Sequence, residues 1–200
     1  MATEIELKAH VQDSEALKSI LCKKAEYLGS FEKEDTYWLG TAGSFSSRLR
    51  VRREKCTLSN GDEELKCIAT HKTKEVRDGI EINDEREFEV NPAPEFEEFL
   101  KRMGFKPGAS KRKKGWAFSH EGITAELVEV EGLGWFVELE IIANGMNAAG
   151  IYTADNRKET FAAEKKRLLD FLADLGIEKN ALESRFYTEM LKELKKGTSV

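Results

Sequence analysis

The chain has 200 residues, 40% hydrophobic and 34% charged, which gives enough apolar content for a buried core and too much for intrinsic disorder. Its 37 acidic residues outnumber 32 basic ones, for a formal net charge of -5. That balance excludes a general nucleic-acid coat, which draws on a surplus of Lys and Arg.

The opening segment, about 4–11, alternates charge and aliphatic residue through Glu4-Ile5-Glu6-Leu7-Lys8, the pattern of a strand with one polar face. Met1-Ala2-Thr3-Glu4 has neither a basic nor an apolar leader region and no later run is long enough for a membrane span, so a cytoplasmic address with no membrane partner is expected. Helical spacing of Leu17, Ile20, Leu21 and Leu28 predicts a helix over about 14–28. Strands follow at about 34–40, 47–55 and 63–74, with the turn Ser59-Asn60-Gly61-Asp62 before the third. Another strand at about 83–90 leads to a helix over about 94–103, closed by Gly104 and flanked by Pro92, Pro94 and Pro107. Strands at about 110–118, 123–130 and 135–142 are joined through His120-Glu121-Gly122 and a turn at Gly132 and Gly134. Two amphipathic helices, about 158–175 and 179–194, parted by Gly176, end the chain. The expected organisation is one domain over 1–200, with strands across about 4–142 and C-terminal helices across about 158–194. Cys22, Cys56 and Cys67 are odd in number and lack CxxC spacing, which reads as reduced, buried thiols.

The polar faces are sorted by sign. Arg48, Arg50 and Arg52 share one face of a strand, as do Glu85, Glu87 and Glu89, Lys111 and Lys113, and Glu138 and Glu140. A half-buried sheet with its polar face in water explains any one of these strands. It explains the set less well, because like charges on one face repel, by roughly tenths of a kcal/mol per pair. If the amphipathic helices cover the apolar faces, the charged faces line a lumen, and a closed barrel of roughly eight strands is wide enough for one. Crowded carboxylates there call for a divalent cation and clustered Arg and Lys for an anion. A metal-bound polyphosphate satisfies both.

In order along the chain, the residues resemble the CYTH proteins, or triphosphate tunnel metalloenzymes. Glu4, Glu6 and Lys8 fit the ExExK signature; Asp35-Thr36-Tyr37-Trp38 resembles D-x-Y-aromatic, and Leu49-Arg50-Val51-Arg52 resembles L-R-x-R. Thr70-His71-Lys72 is similar to T-x-K, Arg86-Glu87-Phe88-Glu89 to R-x-E-x-E, and Lys111 with Trp116 to K-x-R-x-x-aromatic. The stretch from Gly132 to Glu140 resembles G-L-G-x-F-x-E-x-E, and Tyr187 to Leu191 is similar to the Y-x-E-L-L helix of the class IV adenylyl cyclase branch. The resemblance implies an α+β fold: an eight-stranded antiparallel barrel forming a tunnel, with helices packed on its outside. It further implies Mg or Mn as cofactor, held by Glu4, Glu6, Glu138 and Glu140, with Glu87, Glu89 and Glu126 as further candidates. Lys8, Arg50, Arg52, Lys72, Lys111 and Lys113 would hold phosphate oxygens, and Lys8, Lys72 and Arg50 would act in catalysis.

Three positions depart from the family pattern. Lys113 stands in place of Arg, Phe186 in place of Ser, and Val128 in place of an Asp associated with metal binding. Either Glu126, two residues from Val128 on the same face, substitutes for it, or nothing does and the protein is a slow enzyme or a binder. His10, His71 and His120 have no ligand spacing and read as structural or surface residues. The run Lys111-Arg112-Lys113-Lys114 reads as a strand with two lysines facing inwards, and Tyr187 and Arg185 read as helical residues, the first packed and the second exposed. The expected function is metal-dependent hydrolysis of an inorganic or organic triphosphate, a small-molecule partner, without nucleic acid; a homodimer is compatible with it. The alternatives are a class IV-type adenylyl cyclase, making cyclic AMP and pyrophosphate from ATP, and a non-catalytic polyphosphate or nucleotide binder.

Overall fold

The structure, a computed structural model, describes residues 2–42, 45–77, 80–143 and 154–197. Its strands are β1 (Ala2–His10), β2 (Glu26–Ala42), β3 (Phe45–Leu58), β4 (Glu63–Arg77), β5 (Ile80–Glu89), β6 (Lys106–His120), β7 (Ile123–Val130) and β8 (Gly134–Ala143). The helices are α1 (Ser14–Lys24), α2 (Ala93–Arg102), α3 (Ala154–Asp174) and α4 (Tyr187–Gly197). The eight strands close into a barrel in the order β1-β5-β4-β3-β2-β6-β7-β8. Every neighbouring pair is antiparallel. Two meanders, β2 to β5 and β6 to β8, meet at the β2–β6 pair, and β1 closes the ring between β5 and β8. Alternation then sorts each strand: Ile5, Leu7 and Ala9 face outwards, and Glu4, Glu6 and Lys8 face the lumen.

The outer face carries the main core. Leu168, Phe171, Leu172 and Leu175 of α3, with Leu17 and Leu21 of α1, pack on Ile5, Leu7, Leu127, Val137 and Leu139. Fully burying such a side chain contributes about 1.5–3 kcal/mol, so this layer holds the barrel wall from behind. The Asp13 side chain caps α1 by accepting the Ala16 N–H at 2.9 Å. A smaller cluster seats Leu100 of α2 on Trp38 and Val51.

Three sequence expectations change. First, α1 stops at Lys24, and Leu28 belongs to β2. The strand was hidden because a bulge at Gly29 breaks its alternation; Gly29 has φ +148°, and a Cβ there would sit 2.3 Å from the Thr57 carbonyl oxygen. Second, the helix expected over 179–194 is a short 3-10 turn at Lys179–Ala181, an extended strap, and then α4. The strap is held to β1, with Leu182 bridging Ala9 and the Glu183 N–H donating to the Lys8 carbonyl at 2.9 Å. Arg185 therefore precedes the helix; it is half exposed and binds the Glu183 carboxylate at 2.6 Å. Third, α4 does not lie on the outside. Its Tyr187 and Met190 pack on Phe31, Val128, Val130 and Phe136, residues of the lumen-facing rows, so the helix covers the β2, β7 and β8 side of one barrel end. The cysteines are free, as expected, but Cys22 is exposed and Cys56 and Cys67 are only half-buried.

Candidate functional site: the charged tunnel

The lumen is a cavity of about 650 Å³ whose wall carries eight carboxylates and seven cationic side chains. The near balance explains the sign-sorted strands: most charges meet an opposite one across or along the wall, so the missing counter-charge expected from sequence is largely supplied by the protein itself. Lys113 Nζ lies 2.6 Å from Glu138 and 3.1 Å from Glu126. Lys33 reaches Glu126 at 2.6 Å, and Lys8 reaches Glu81 at 2.9 Å. Arg52 grips Asp35 through Nε at 2.7 Å and Nη2 at 3.1 Å, while Lys111 approaches the same carboxylate at 3.0 Å. Lys72 bridges Glu85 at 2.5 Å and Glu6 at 3.4 Å. Arg50 Nη2 donates to Glu87 and Thr70, both at 2.9 Å.

Exposure is graded along the tunnel. At the end near α4 the Lys8 and Lys113 side chains are 4% and 5% exposed, whereas Lys72 is 26% and Glu87 42% exposed at the other. Ile142 also lines that second end and is exposed, so it is the open mouth.

The electrostatics separate carboxylates held by cations from carboxylates crowded by one another. Burial works against ionisation of Glu138, but the Lys113 and Lys111 ammonium groups outweigh it and hold the carboxyl well below its ordinary range. Burial likewise opposes ionisation of Asp35, and Lys111 and Arg52 overcome it. Glu85 is held down, against its burial, by Lys72 and Arg50. For Glu4, Glu6 and Glu140 the balance reverses. Burial, then the neighbouring Glu140 and Glu85, pushes Glu4 up to about 9. Burial, then Glu6 and Glu126, pushes Glu140 up to about 7, and burial also raises Glu6. Glu6 and Glu140 sit directly opposite each other on β1 and β8.

The tunnel thus brings together Glu4, Glu6, Lys8, Arg50, Arg52, Lys72, Glu87, Lys111, Lys113, Glu126, Glu138 and Glu140. It does not include Glu89, which is exposed at the end of β5 and borders a second cavity that also touches Lys33, Glu54 and Lys113. The Arg48 side chain lies outside the described residues. Arg112 and Lys114 point outwards to Glu34 and Glu129, as expected for the alternate positions of that basic run. Val128 keeps the lumen-side register, opposite Phe136, but is fully buried in the apolar cluster beneath α4. Sequence reasoning did not single out Lys33, Asp35, Glu81 or Thr70 as site residues; the first two continue the odd-numbered row Phe31-Lys33-Asp35-Tyr37, whose mixed chemistry concealed its common face. It also took Tyr187 for a packing residue. Tyr187 does pack, but it lines the tunnel, its ring lies 5.3 Å from Lys8 Nζ and 5.2 Å from Lys111 Nζ, and its buried hydroxyl sits beside the Glu138 carboxylate. Burial and the Glu138 carboxylate push that phenol well above its ordinary range.

Among the described residues, no three His, Cys, Asp or Glu side chains form a ready-made metal cage. The donor chemistry nevertheless fits a hard divalent cation. Glu4, Glu6 and Glu140 are carboxylates on adjacent strands with raised pKa values, and Mg²⁺ characteristically takes one or two carboxylates plus substrate phosphates. No helix among the described residues is long and apolar enough to cross a membrane.

Comparison with known proteins agrees with this geometry. The sequence profile of the CYTH domain matches residues 2–187. A Methanocaldococcus jannaschii protein, provisionally named an adenylate cyclase, is 25% identical over 191 residues, covering 94% of this chain and 97% of its own. The solved structure of a Pyrococcus horikoshii protein superposes with a TM-score of 0.72 at 26% identity, covering 96% of this chain and 99% of its own. An adenylyl cyclase-like protein from Hippeastrum, described as having a dominant triphosphatase activity, shares the fold with a TM-score of 0.60 at 20% identity, covering 98% and 96%.

Proposed function

The chain belongs to the CYTH domain family, and from that premise we propose that it binds a triphosphate in the tunnel and hydrolyses it at the terminal phosphoryl group. The observation that carries this reading is the concentration of Lys8, Lys33, Arg52, Lys111 and Lys113 in the buried half of the lumen. Each is already held by a carboxylate, so phosphate oxygens can replace those partners without a free cation having been buried beforehand. In hydrolysis negative charge lies on the three oxygens of the terminal phosphoryl group and builds on the bridging oxygen that leaves, and five cations fixed around that group stabilise it by electrostatic preorganisation. Water attacks the terminal phosphorus, the bond to the bridging oxygen breaks with its electron pair leaving on the diphosphate, and the attacking water gives up its proton to a phosphate oxygen or solvent as orthophosphate forms.

Lys72 and Arg50, nearer the mouth, would orient the inner phosphates. Glu4, Glu6 and Glu140 would hold Mg or Mn, which supplies further charge neutralisation on the phosphate oxygens. Glu138 and Glu126 serve better as counter-ions that position Lys113 and Lys33 than as metal ligands, because both are engaged by lysines at 2.6 Å.

A second reading, cyclisation of ATP by attack of the ribose 3′-oxygen on the α-phosphorus, is favoured by the name of the M. jannaschii relative. Incubation of the protein with Mg²⁺ and tripolyphosphate, ATP or thiamine triphosphate separates the readings. Orthophosphate supports hydrolysis; cyclic AMP with pyrophosphate selects the cyclase; binding without product leaves a binder.

A further inference from the structure

A contiguous apolar patch lies on the outside of the barrel, where α2 meets the end of β5. Phe88 of β5 and Phe99 of α2 are 54% and 53% exposed, and Met103, the C-terminal cap of α2, is 62% exposed. Phe96 joins them: its ring lies 6.1 Å from Phe88, edge-on, and 6.3 Å from Phe99, stacked. Met103 follows Phe99 by one helical turn, and its N–H donates to the Phe99 carbonyl at 2.9 Å, so the two side chains share one side of the helix. Single exposed apolar side chains are ordinary on a protein surface, whereas large ones in contact with one another mark an interaction site. Leu100 meanwhile faces the barrel, on Trp38 and Val51, so the core does not use the exposed side of α2.

The charges beside the patch indicate its occupant. Glu95 stands one turn before Phe99 and Arg102 just under one turn after it, and helical spacing puts both on the same flank of Phe99. Turning α2 end for end about Phe99 exchanges these two positions. We infer that this protein associates with a second copy of itself through α2, in an antiparallel two-fold contact centred on Phe99. Phe99 then meets the partner's Phe99, Met103 comes over the partner's Phe96, and Glu95 meets the partner's Arg102 on each side of the axis. A parallel contact would instead set Glu95 against Glu95 and Arg102 against Arg102. The Arg102 side chain is 79% exposed, and Glu98 holds only its Nε, at 3.2 Å, so the rest of the guanidinium is available to a second carboxylate. One helix face buries less than the roughly 1,200 Å² of a standard interface, so the dimer is weak and reversible, with a Kd on the order of 1–100 µM. The surface lies outside the tunnel, and the inference is independent of the triphosphate reading.

Sedimentation equilibrium of the full-length protein, from about 1 to about 200 µM, should follow a monomer–dimer equilibrium. Phe99→Lys should weaken it at least about tenfold, and so should Glu95→Arg or Arg102→Glu alone. The double variant Glu95→Arg with Arg102→Glu restores both cross-pairs and should return the Kd to within about threefold of the unaltered protein. That recovery distinguishes the antiparallel contact from general loss of surface charge or of folding. A monomer at every concentration overturns the inference, as does a dimer that Phe99→Lys leaves intact. A double variant no better than its single parents overturns the antiparallel geometry and with it the inference.

Discussion

Asp35 and Arg52 stand directly opposite each other on β2 and β3, joined by two hydrogen bonds of 2.7 and 3.1 Å, and Lys111 meets the same carboxylate from β6. Asp35 is fully buried, so one carboxylate compensates two cations from two neighbouring strands. Asp35→Ala should cost about 3–5 kcal/mol, because it leaves Arg52 and Lys111 buried without their anion. Urea unfolding checks this; a loss below about 1 kcal/mol would show that the two cations find other partners.

Glu138 and Glu140 belong to one E-x-E motif but are expected to respond oppositely. Glu138→Gln removes the partner that Lys113 holds at 2.6 Å and should destabilise the protein by about 1–3 kcal/mol. Glu140→Gln removes a carboxylate crowded by Glu6 and Glu126, so the ligand-free protein should keep or gain stability near neutral pH. Both should lose triphosphatase activity. Paired thermal melts and product assays decide it; equal destabilisation of the two variants contradicts the separation of lysine-paired from metal-holding glutamates.

Raised carboxyl pKa values set the pH dependence. In the unfolded chain Glu4 and Glu140 titrate near 4.5, whereas folding moves them to about 9 and about 7. The folded state therefore binds more protons than the unfolded state, and the stability involved is fully present below 4.5 and lost as pH rises through 7 and 9. Asp35, Glu85 and Glu138 shift downwards, so their contribution is lost only on acidification below the ordinary carboxyl range. The melting temperature of metal-free protein should fall from about pH 5 to about pH 9, and Mg²⁺ should flatten the decline by taking the place of the protons. A profile that rises over this interval contradicts the assignment.

Val128→Asp restores the residue of the family pattern, yet it should neither tighten metal binding nor speed turnover. The new carboxylate would face Phe136 and Tyr187 in the apolar cluster beneath α4, at a cost of about 2–5 kcal/mol. Denaturant unfolding together with a Mg²⁺ titration of activity tests this. A more active variant of unchanged stability would place position 128 at a metal.

The Tyr187 hydroxyl is buried beside Glu138 without a well-formed hydrogen bond, so Tyr187→Phe should change ligand-free stability by no more than about 1 kcal/mol. The same change should raise KM for tripolyphosphate, because a phosphate oxygen loses its donor. A fall in stability with no change in KM would make the tyrosine a packing residue alone.

Much of this architecture was readable before any coordinates. Period-two alternation in Glu4-Ile5-Glu6-Leu7-Lys8 and Leu49-Arg50-Val51-Arg52 states which side of each strand is polar, and the ordered motifs identify the barrel that turns that side inwards. What escaped depends on pairing between distant segments. Lys33 gains meaning only when Glu126 of β7 meets it, and Asp35 only when β3 and β6 flank β2. Glu89 continues the acidic row of Glu85 and Glu87 perfectly, but the tunnel has ended before it, and alternation carries no information about where a lumen stops. The position of α4 was hidden for a related reason: an apolar face on a helix says that it is covered, and leaves open whether the side or the end of a barrel covers it.

The insertion of β1 between β5 and β8 also governs how the molecule comes to exist. The first ten residues have no strand partner until β5 has been made, and the ring cannot close until β8 follows. Until then the acidic and basic rows of the half-built sheet are open to water and to the other polyanions and cations of the cell. Because loop closure over such distances precedes the contacts that reward it, folding should be slow for a chain of this size, with β1 docking late. A triphosphate present during refolding would have little to grip before that step and a complete site after it.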